Sequence, residues 1–184
     1  MTPSMSDRER ENAGPVRFTE TQRFDQLWLW LVLLASTVVP FIIFTWIMVE
    51  QLVTGHPVGN QPMPDAMAIG VWLGTGALTA GLLVLFARAA LIVEVRRDGI
   101  WVQYKGFRIK RLIRYDEIAS FEAVTYSPIG EYGGWGIRGM GKNKAYNVKG
   151  NRGVRLRFHD GSQLLVGSQR ARAFERAIAH FANQ

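Results

Sequence analysis

The side chains that most often carry catalysis are few and scattered in this sequence. It contains three histidines and no cysteine in 184 residues, which excludes disulfides, thiolate metal sites and cysteine nucleophiles. No two histidines have metal-ligand spacing, and no serine lies in a Gly-x-Ser-x-Gly turn. The glycines of residues 130–141 follow no phosphate-loop order. We therefore expect no catalytic residue, no metal site, no cofactor and no enzymatic activity.

A group of basic side chains is the first candidate for binding an anion. The chain carries 22 Lys and Arg against 15 Asp and Glu, a net charge of +7, and this favours an anionic lipid surface or a nucleic acid as partner. The group comprises Lys105, Arg108, Lys110, Arg111 and Arg114. Arg108, Lys110 and Arg114 share one face of a strand. Such a face is either simply solvated or in contact with lipid headgroups. The interleaved aromatic residues fit a core better than base stacking, so we expect no nucleic-acid binding.

A glycine-rich stretch is the second candidate. Residues 127–153 contain eight glycines, too many for a plain strand. The first interpretation, which we favour, is a bulged edge strand in which Trp135 is a core residue and residues 142–144 form an exposed tip. The second is an exposed recognition loop with aromatic anchors and a basic rim. The candidate residues are Tyr132, Trp135, Arg138, Lys142 and Lys144.

Two apolar runs precede these basic segments. Residues 27–49 and 66–87 contain no charged side chain, and helices of these lengths span about 33–35 Å, against about 30 Å for the hydrocarbon core of a bilayer. We predict two transmembrane helices at these positions within residues 26–90. The alternatives are a soluble helical core or, for the first run, a signal peptide. The first run is too long for a signal peptide and has no convincing cleavage site.

The distribution of Lys and Arg predicts the orientation. Residues 50–65, between the two runs, contain neither Lys nor Arg, whereas the segment from Arg88 onward is strongly basic. The positive-inside rule then predicts a multi-pass protein of the cytoplasmic (inner) membrane with both termini in the cytoplasm. Residues 1–25 are polar, and we expect a disordered tail there.

Small residues on the second run form a candidate helix-packing face. Gly70, Gly74, Ala77 and Gly81 recur at helical spacing, and such a face lets another helix approach closely. We favour the first run of the same chain as the partner. The alternative is a second copy of the chain, which would make a homo-oligomer, or another membrane protein.

The hydrophobic period changes from helical to alternating near residue 90, which predicts a β-rich domain at 91–184. The expected strands are 91–95, 100–104, 107–115, 118–126, 145–148, 154–158 and 163–166. Asp98-Gly99 is typical of a hairpin turn. Ser168 is a good N-cap for an amphipathic helix at 168–182. The predicted fold is a membrane α-hairpin plus an antiparallel β-sandwich or partly open barrel, closed by this helix and similar to pleckstrin-homology (PH) domains.

Several local motifs carry a family resemblance. They are Arg-Tyr-Asp-Glu-Ile at 114–118, Glu-Tyr-Gly-Gly-Trp-Gly-Ile-Arg at 131–138, Ala-Tyr-Asn-Val at 145–148, Gly-Asn-Arg-Gly-Val at 150–154 and Gly-Ser-Gln at 167–169. Over residues 27–182 the chain resembles uncharacterised bacterial integral membrane proteins with two transmembrane helices and a PH-like cytoplasmic domain. The resemblance implies fold and location, and no activity.

The expected function is therefore a membrane-anchored binding or scaffold module. Its partners would be the lipid bilayer together with anionic lipid, a protein or another copy of the chain. The alternative is an accessory or regulatory subunit of a larger membrane complex, with the two spans as the interface.

Overall fold

The computed structural model describes residues 15–56, 58–107 and 109–182. The chain divides into two compact units. One unit comprises residues 25–88 and is helical. The other combines the described residues up to Phe24 with those from Ala89 onward, and it contains the strands. The chain therefore leaves the strand-rich unit to form the helices and then returns to it.

The helical unit consists of α1, Leu27–Leu52, and α2, Asp65–Arg88. Both helices are long and apolar enough to cross a membrane by length and composition. Each contains one of the two predicted apolar runs. Only 6% of the most apolar window of each helix is buried within the protein, so most of their apolar side chains are exposed.

The two helices pack through aromatic and hydroxyl side chains. The rings of Phe41 and Trp72 stack with centroids 6.1 Å apart. Trp72 Nε1 donates a hydrogen bond to Thr45 Oγ1 at 2.9 Å, and Thr79 Oγ1 donates one to the carbonyl oxygen of Thr37 at 3.1 Å. These polar contacts link the helices along the side of α2 that carries Trp72 and Thr79.

The strand-rich unit contains two sheets. Sheet A has the order β1-β2-β3-β4, and sheet B has the order β5-β8-β9-β7-β6. The strands are β1 Phe18–Arg23, β2 Ala90–Arg96, β3 Gly99–Lys105, β4 Ile109–Ile113, β5 Ile118–Thr125, β6 Gly136–Met140, β7 Asn143–Asn147, β8 Arg152–Phe158 and β9 Gln163–Gly167. A 3-10 turn, Tyr115–Glu117, joins the sheets, and two helices follow: α3, Pro128–Tyr132, and α4, Ala171–Ala182.

The segment expected to be a disordered tail contains a strand. Strand β1 pairs antiparallel with β2, and its inward-facing residues are Phe18, Glu20 and Gln22. Two of these three buried residues are polar, so the sequence shows no apolar alternation and the strand is not recognisable locally. Residues 1–14 of the expected tail lie outside the described residues.

Sheet A is an antiparallel meander, as expected, but sheet B is not. Strand β5 pairs with β8, and β7 pairs parallel with β9. Helix α3 and strand β6 lie between β5 and β7 in the sequence. Strand β6 is an edge strand, as expected for this glycine-rich stretch, whereas helix α3 was not predicted. The chain crosses the sheet in this glycine-rich segment and leaves room for β8 and β9 between β5 and β7. The sheets do not close into a barrel.

The core lies between the inner faces of the two sheets. Sheet A contributes side chains such as Val93 and Ile100, and sheet B contributes Leu156 and Leu164, all at most 1% exposed. Helix α4 closes this core through its apolar face, where Phe174 is fully buried. The helix begins at Ala171 rather than at residue 168.

Two matched glycine substitutions test the helix packing. A Cβ at Gly76 would lie 3.0 Å from the Phe41 ring, whereas a Cβ at Gly74 would meet nothing within 4 Å. We expect Gly76→Leu to destabilise the helical unit by about 1–3 kcal/mol, because the larger side chain overpacks the interface. Gly74→Leu should leave stability unchanged. Unfolding of the full chain in mixed micelles by increasing dodecyl sulfate measures both, and equal effects would contradict this packing.

Candidate functional site

The basic residues around β3 and β4 lie at one edge of sheet A. Strand β4 is the edge strand, and Lys110 lies opposite Gln103 on β3. We call this side of the sheet, which points away from sheet B, the outer face of sheet A. Lys105 shares the strand parity of Gln103 and is exposed. Arg114 follows β4 and is also exposed. Three of the predicted residues, Lys105, Lys110 and Arg114, therefore lie on or beside the outer face.

Of the other two members of this basic group, one lies on the inner side of sheet A. Arg111 lies opposite Val102 on the inner side of the sheet. Its guanidinium carbon stands 5.1 Å from the centroid of the Phe158 ring, a cation–π contact within the protein. Arg108 lies outside the described residues.

Nearby carboxylates neutralise only part of the charge of the outer face. Among the described residues of β1–β4, Glu94 is the one carboxylate on this face, and Arg96 binds it at 2.9 Å. Arg114 pairs with Asp116 at 3.2 Å, but both side chains are about two-thirds exposed. Such an exposed pair contributes about 0–1 kcal/mol, so Arg114 remains able to exchange Asp116 for another anion.

The glycine-rich stretch is built into sheet B. Tyr132, on α3, is 8% exposed and packs with Tyr126, Ala145 and Leu165 on the side of sheet B away from sheet A. Trp135 is half-buried, and its Nε1 donates to the carbonyl oxygen of Gly150 at 2.9 Å. The aromatic residues of this stretch are thus held by contacts within the protein.

The basic residues of the same stretch are exposed. Arg138 lies on edge strand β6, and its Nε donates to the carbonyl oxygen of Trp135 at 2.9 Å. Lys142 and Lys144 lie at and beside the β6–β7 turn. Lys142 Nζ reaches the carbonyl oxygen of Asp160 at 3.3 Å. The stretch therefore combines the buried Tyr132 and the half-buried Trp135 with an exposed basic turn.

Asn147 organises this region, and no role for it was predicted from the sequence. It is fully buried, and its Oδ1 accepts a hydrogen bond from the backbone N–H of Gly136 at 2.8 Å. Its Nδ2 donates to Tyr126 Oη at 2.9 Å, and its carbonyl oxygen accepts from Tyr104 Oη at 3.1 Å. Burial raises the pKa of both tyrosine hydroxyls, so they stay protonated in alkaline solution as well as at neutral pH. The only signal in the sequence is an Asn between Tyr146 and Val148.

The small-residue face of α2 does not pack against α1. Gly70, Gly74, Ala77 and Gly81 are all exposed, and a Cβ added at any of the three glycines would meet nothing within 4 Å. Helix α1 instead contacts the side that carries Gly76, where Phe41 lies close. The expected packing of this face within the hairpin is therefore replaced by packing through larger side chains, and the small-residue face stays open.

One known protein family matches almost the whole chain. A family model matches residues 9–181, which include both helices and the strand-rich unit. The chain belongs to DUF6141, a family of unknown function. No curated protein and no solved structure matches it. The family match therefore includes both units. In chain order β1 comes first, the two apolar helices follow, and the rest of the β-rich unit comes after them.

The described part of this DUF6141 chain contains no group of three or more His, Cys, Asp or Glu side chains that could hold a metal ion.

His159 lines a cavity of about 270 Å³ together with Arg111 and Asp160. The pKa of Asp160 is lowered because Ser162 donates hydrogen bonds to its carboxylate. One of them comes from the Ser162 backbone at 2.8 Å, as in an Asx turn. The lowered pKa of Asp160 is therefore explained by hydrogen bonds within a turn.

Substitution of Asn147 tests its organising role. We expect Asn147→Ala to destabilise the strand-rich unit by about 1–3 kcal/mol for each buried group left unpaired, namely the Gly136 N–H and the Tyr126 hydroxyl. Asn143→Ala, at the exposed start of the same strand, is the matched control and should change stability little. Thermal unfolding of the full chain in detergent, followed by the β-sheet circular dichroism signal, measures both. Equal melting temperatures for the two variants would contradict the role.

Proposed function

We propose that this DUF6141 chain is a non-enzymatic, membrane-anchored binding or scaffold module. In this proposal α1 and α2 span the cytoplasmic (inner) membrane as a hairpin. The strand-rich unit is a cytoplasmic PH-like domain that recognises anionic lipid headgroups or a protein partner.

Strand pairing at the two ends of the helical unit carries the proposal. Strand β1 leads into α1, α2 leads into β2, and Arg23 of β1 pairs with Ala90 of β2. Residues paired in one sheet must lie on the same side of a membrane, so the chain between them crosses it an even number of times. Because both helices are long and apolar enough and mostly exposed, two crossings fit better than none. A soluble core helix would instead be mostly buried.

The charge bias supports a cytoplasmic strand-rich unit. The loop between α1 and α2 lies within residues 50–65, which contain no Lys or Arg, as expected of a translocated loop. The segment before α1 and the segment from Arg88 onward carry all 22 basic residues. The PH-like assignment rests on two sheets with a C-terminal amphipathic helix packed against them, while the parallel β7–β9 pair is a departure from a simple meander.

The outer face of sheet A supports lipid recognition. Lys105, Lys110 and Arg114 lie on or beside one edge of this face, and its carboxylate Glu94 is already paired. Each basic side chain near an anionic leaflet contributes about 1 kcal/mol. Three such residues on a domain tethered to the bilayer are enough for weak, salt-sensitive contact with headgroups.

A reporter experiment tests the topology. We expect a cytoplasmic signal from a reporter fused after Gln184 and an external signal from one inserted at Gly59, which lies in the loop between the helices. The reason is the combination of paired strands at both helix ends with a loop free of basic residues. Reporter activity in cells measures both sites. An external C-terminus, or the same location for both sites, would contradict the proposed hairpin.

Charge reversal tests lipid recognition by the outer face. The full chain is purified in detergent and equilibrated with equal amounts of phosphatidylglycerol and phosphatidylcholine, and native mass spectrometry counts the retained lipids. We expect the triple variant Lys105→Glu, Lys110→Glu and Arg114→Glu to lose its preference for phosphatidylglycerol, because three attractions of about 1 kcal/mol become repulsions.

The control reverses three exposed charges elsewhere: Lys142→Glu, Lys144→Glu and Arg176→Glu. It changes the net charge by the same amount and should keep the preference. Loss of the preference in the control but not in the outer-face variant would place lipid recognition at the β6–β7 turn or on α4 instead.

The exposed small-residue face of α2 favours a second candidate function, an accessory or regulatory subunit of a larger membrane complex. Gly70, Gly74 and Gly81 leave room for the backbone of another helix. Purification from native membranes separates the two functions. A stoichiometric protein partner that is lost in Gly74→Leu would favour the accessory role, whereas anionic lipid alone would favour the binding module.

A further inference from the structure

A groove separates the free edge of β5 from the start of α4. Its volume is about 550 Å³, and its lining includes Ala123 and Thr125 from β5 and Ala173 from α4. The small side chains of Ala123 and Ala173 leave the groove wide. Volumes of about 300–1,000 Å³ are typical of sites for small ligands, so the groove has the size of a binding site.

Three arginines line this groove. Arg152 comes from the start of β8, Arg170 precedes α4, and Arg172 lies in its first turn. None of the lining residues is acidic. Among the described residues, the guanidinium groups of Arg152 and Arg172 have no ion-pair partner, and both side chains are exposed. The groove therefore concentrates three positive side chains, of which Arg152 and Arg172 form no ion pair with another described residue.

Arg170 is held in place by contacts outside the groove. Its Nη2 donates to the carbonyl oxygen of Thr19, and its guanidinium carbon stands 4.9 Å from the centroid of the Phe18 ring. These contacts occupy one N–H and one face of a group with five N–H donors. The remaining donors stay available at a fixed position, which reduces the entropy lost when a ligand binds.

The neighbouring carboxylates are already engaged. The two oxygens of Glu20 accept from Ser168 Oγ at 2.6 Å and from the Gln169 backbone N–H at 2.8 Å. Glu175 Oε1 accepts from the Ala123 backbone N–H at 2.8 Å. Neither carboxylate lines the groove, so neither occupies the position of an anionic ligand.

The edge of β5 adds a neutral donor. The Ala123 N–H donates to Glu175 and so points away from β8, the strand that pairs with β5. In an antiparallel pair, backbone groups point alternately toward and away from the partner strand. Thr125, two residues on, therefore presents its backbone N–H on the same free edge, and it lines the groove together with the arginines.

We propose that this groove binds a ligand through a phosphate group. Guanidinium groups bind phosphate oxygens with charge-assisted, often bidentate hydrogen bonds, and Arg152, Arg170 and Arg172 surround one space of suitable size. The phosphate belongs to a phospholipid headgroup or to a soluble phosphate ester. The groove shares no residue with the outer face of sheet A, so this inference goes beyond the proposed function and does not depend on lipid binding by that face.

Calorimetric titration of the full chain in dodecyl maltoside, which contains no phosphate, tests the site. The probes are glycerol 3-phosphate and short-chain phosphatidic acid. We expect the double variant Arg152→Gln, Arg172→Gln to bind at least about tenfold more weakly, because each charge-assisted hydrogen bond contributes that much or more. Binding of both probes identifies a headgroup site, and binding of glycerol 3-phosphate alone identifies a site for a soluble ester.

Two further variants make the result decisive. Arg176→Gln removes one positive charge from an exposed position of the same helix outside the groove, and it should bind like the wild type. Ala173→Glu places a carboxylate in the groove at a half-buried position of α4, and it should abolish binding even if the double variant fails to fold. Failure of both probes to bind the wild type, wild-type affinity in a folded double variant or in Ala173→Glu, or an equal loss in Arg176→Gln would overturn the proposal.

Discussion

Strand β1 precedes α1 in the sequence, and it packs against elements that follow α2, including the C-terminal helix α4. It pairs with β2, which follows α2, and it also contacts the connection between β9 and α4. Its Phe18 ring stacks on Phe174 of α4 with centroids 5.1 Å apart. Because both ends of the helical unit continue into adjacent strands, the sheet fixes where that unit begins and ends.

Polar contacts fix the register of β1. Glu20 and Gln22 are buried, and burial of such groups is costly unless they are hydrogen-bonded. Gln22 Nε2 donates to the carbonyl oxygen of Gly167 at 2.7 Å, and the Glu20 carboxylate accepts from Ser168 and Gln169. A shift of one residue would turn Phe18 and both polar side chains outward. The native register therefore allows the hydrogen bonds of Gln22 Nε2 and the Glu20 carboxylate and the Phe18–Phe174 contact to form together.

The connection between β9 and α4 also shapes the groove beside α4. Glu20 holds Ser168 and Gln169, and the next residue, Arg170, is held by Thr19 and Phe18. The start of α4 is thus fixed from the side of β1, while its other side faces the free edge of β5. Basic residues therefore lie on separate surfaces, including the outer face of sheet A, the groove and the β6–β7 turn.

The sequence by itself determined the elements that depend on local patterns. Two long uncharged runs predict two apolar helices, because length and composition are enough to identify them. The Asp98-Gly99 turn and the alternation on either side predict the hairpin of β2 and β3, and the apolar face around Phe174 predicts α4. In each case the residues that stabilise the element lie within a few positions of one another.

Only the tertiary structure decided the features that join distant residues. Glu20 and Ser168 are 148 positions apart, and neither the strand character of β1 nor its buried polar side chains follow from the local sequence. The parallel pairing of β7 with β9 and the use of Gly76 rather than Gly74 in helix packing likewise depend on which surfaces meet. The three arginines of the groove come together because β8 and α4 do. A local pattern defines which face of an element is apolar, whereas the partner of that face is set by packing of the whole chain.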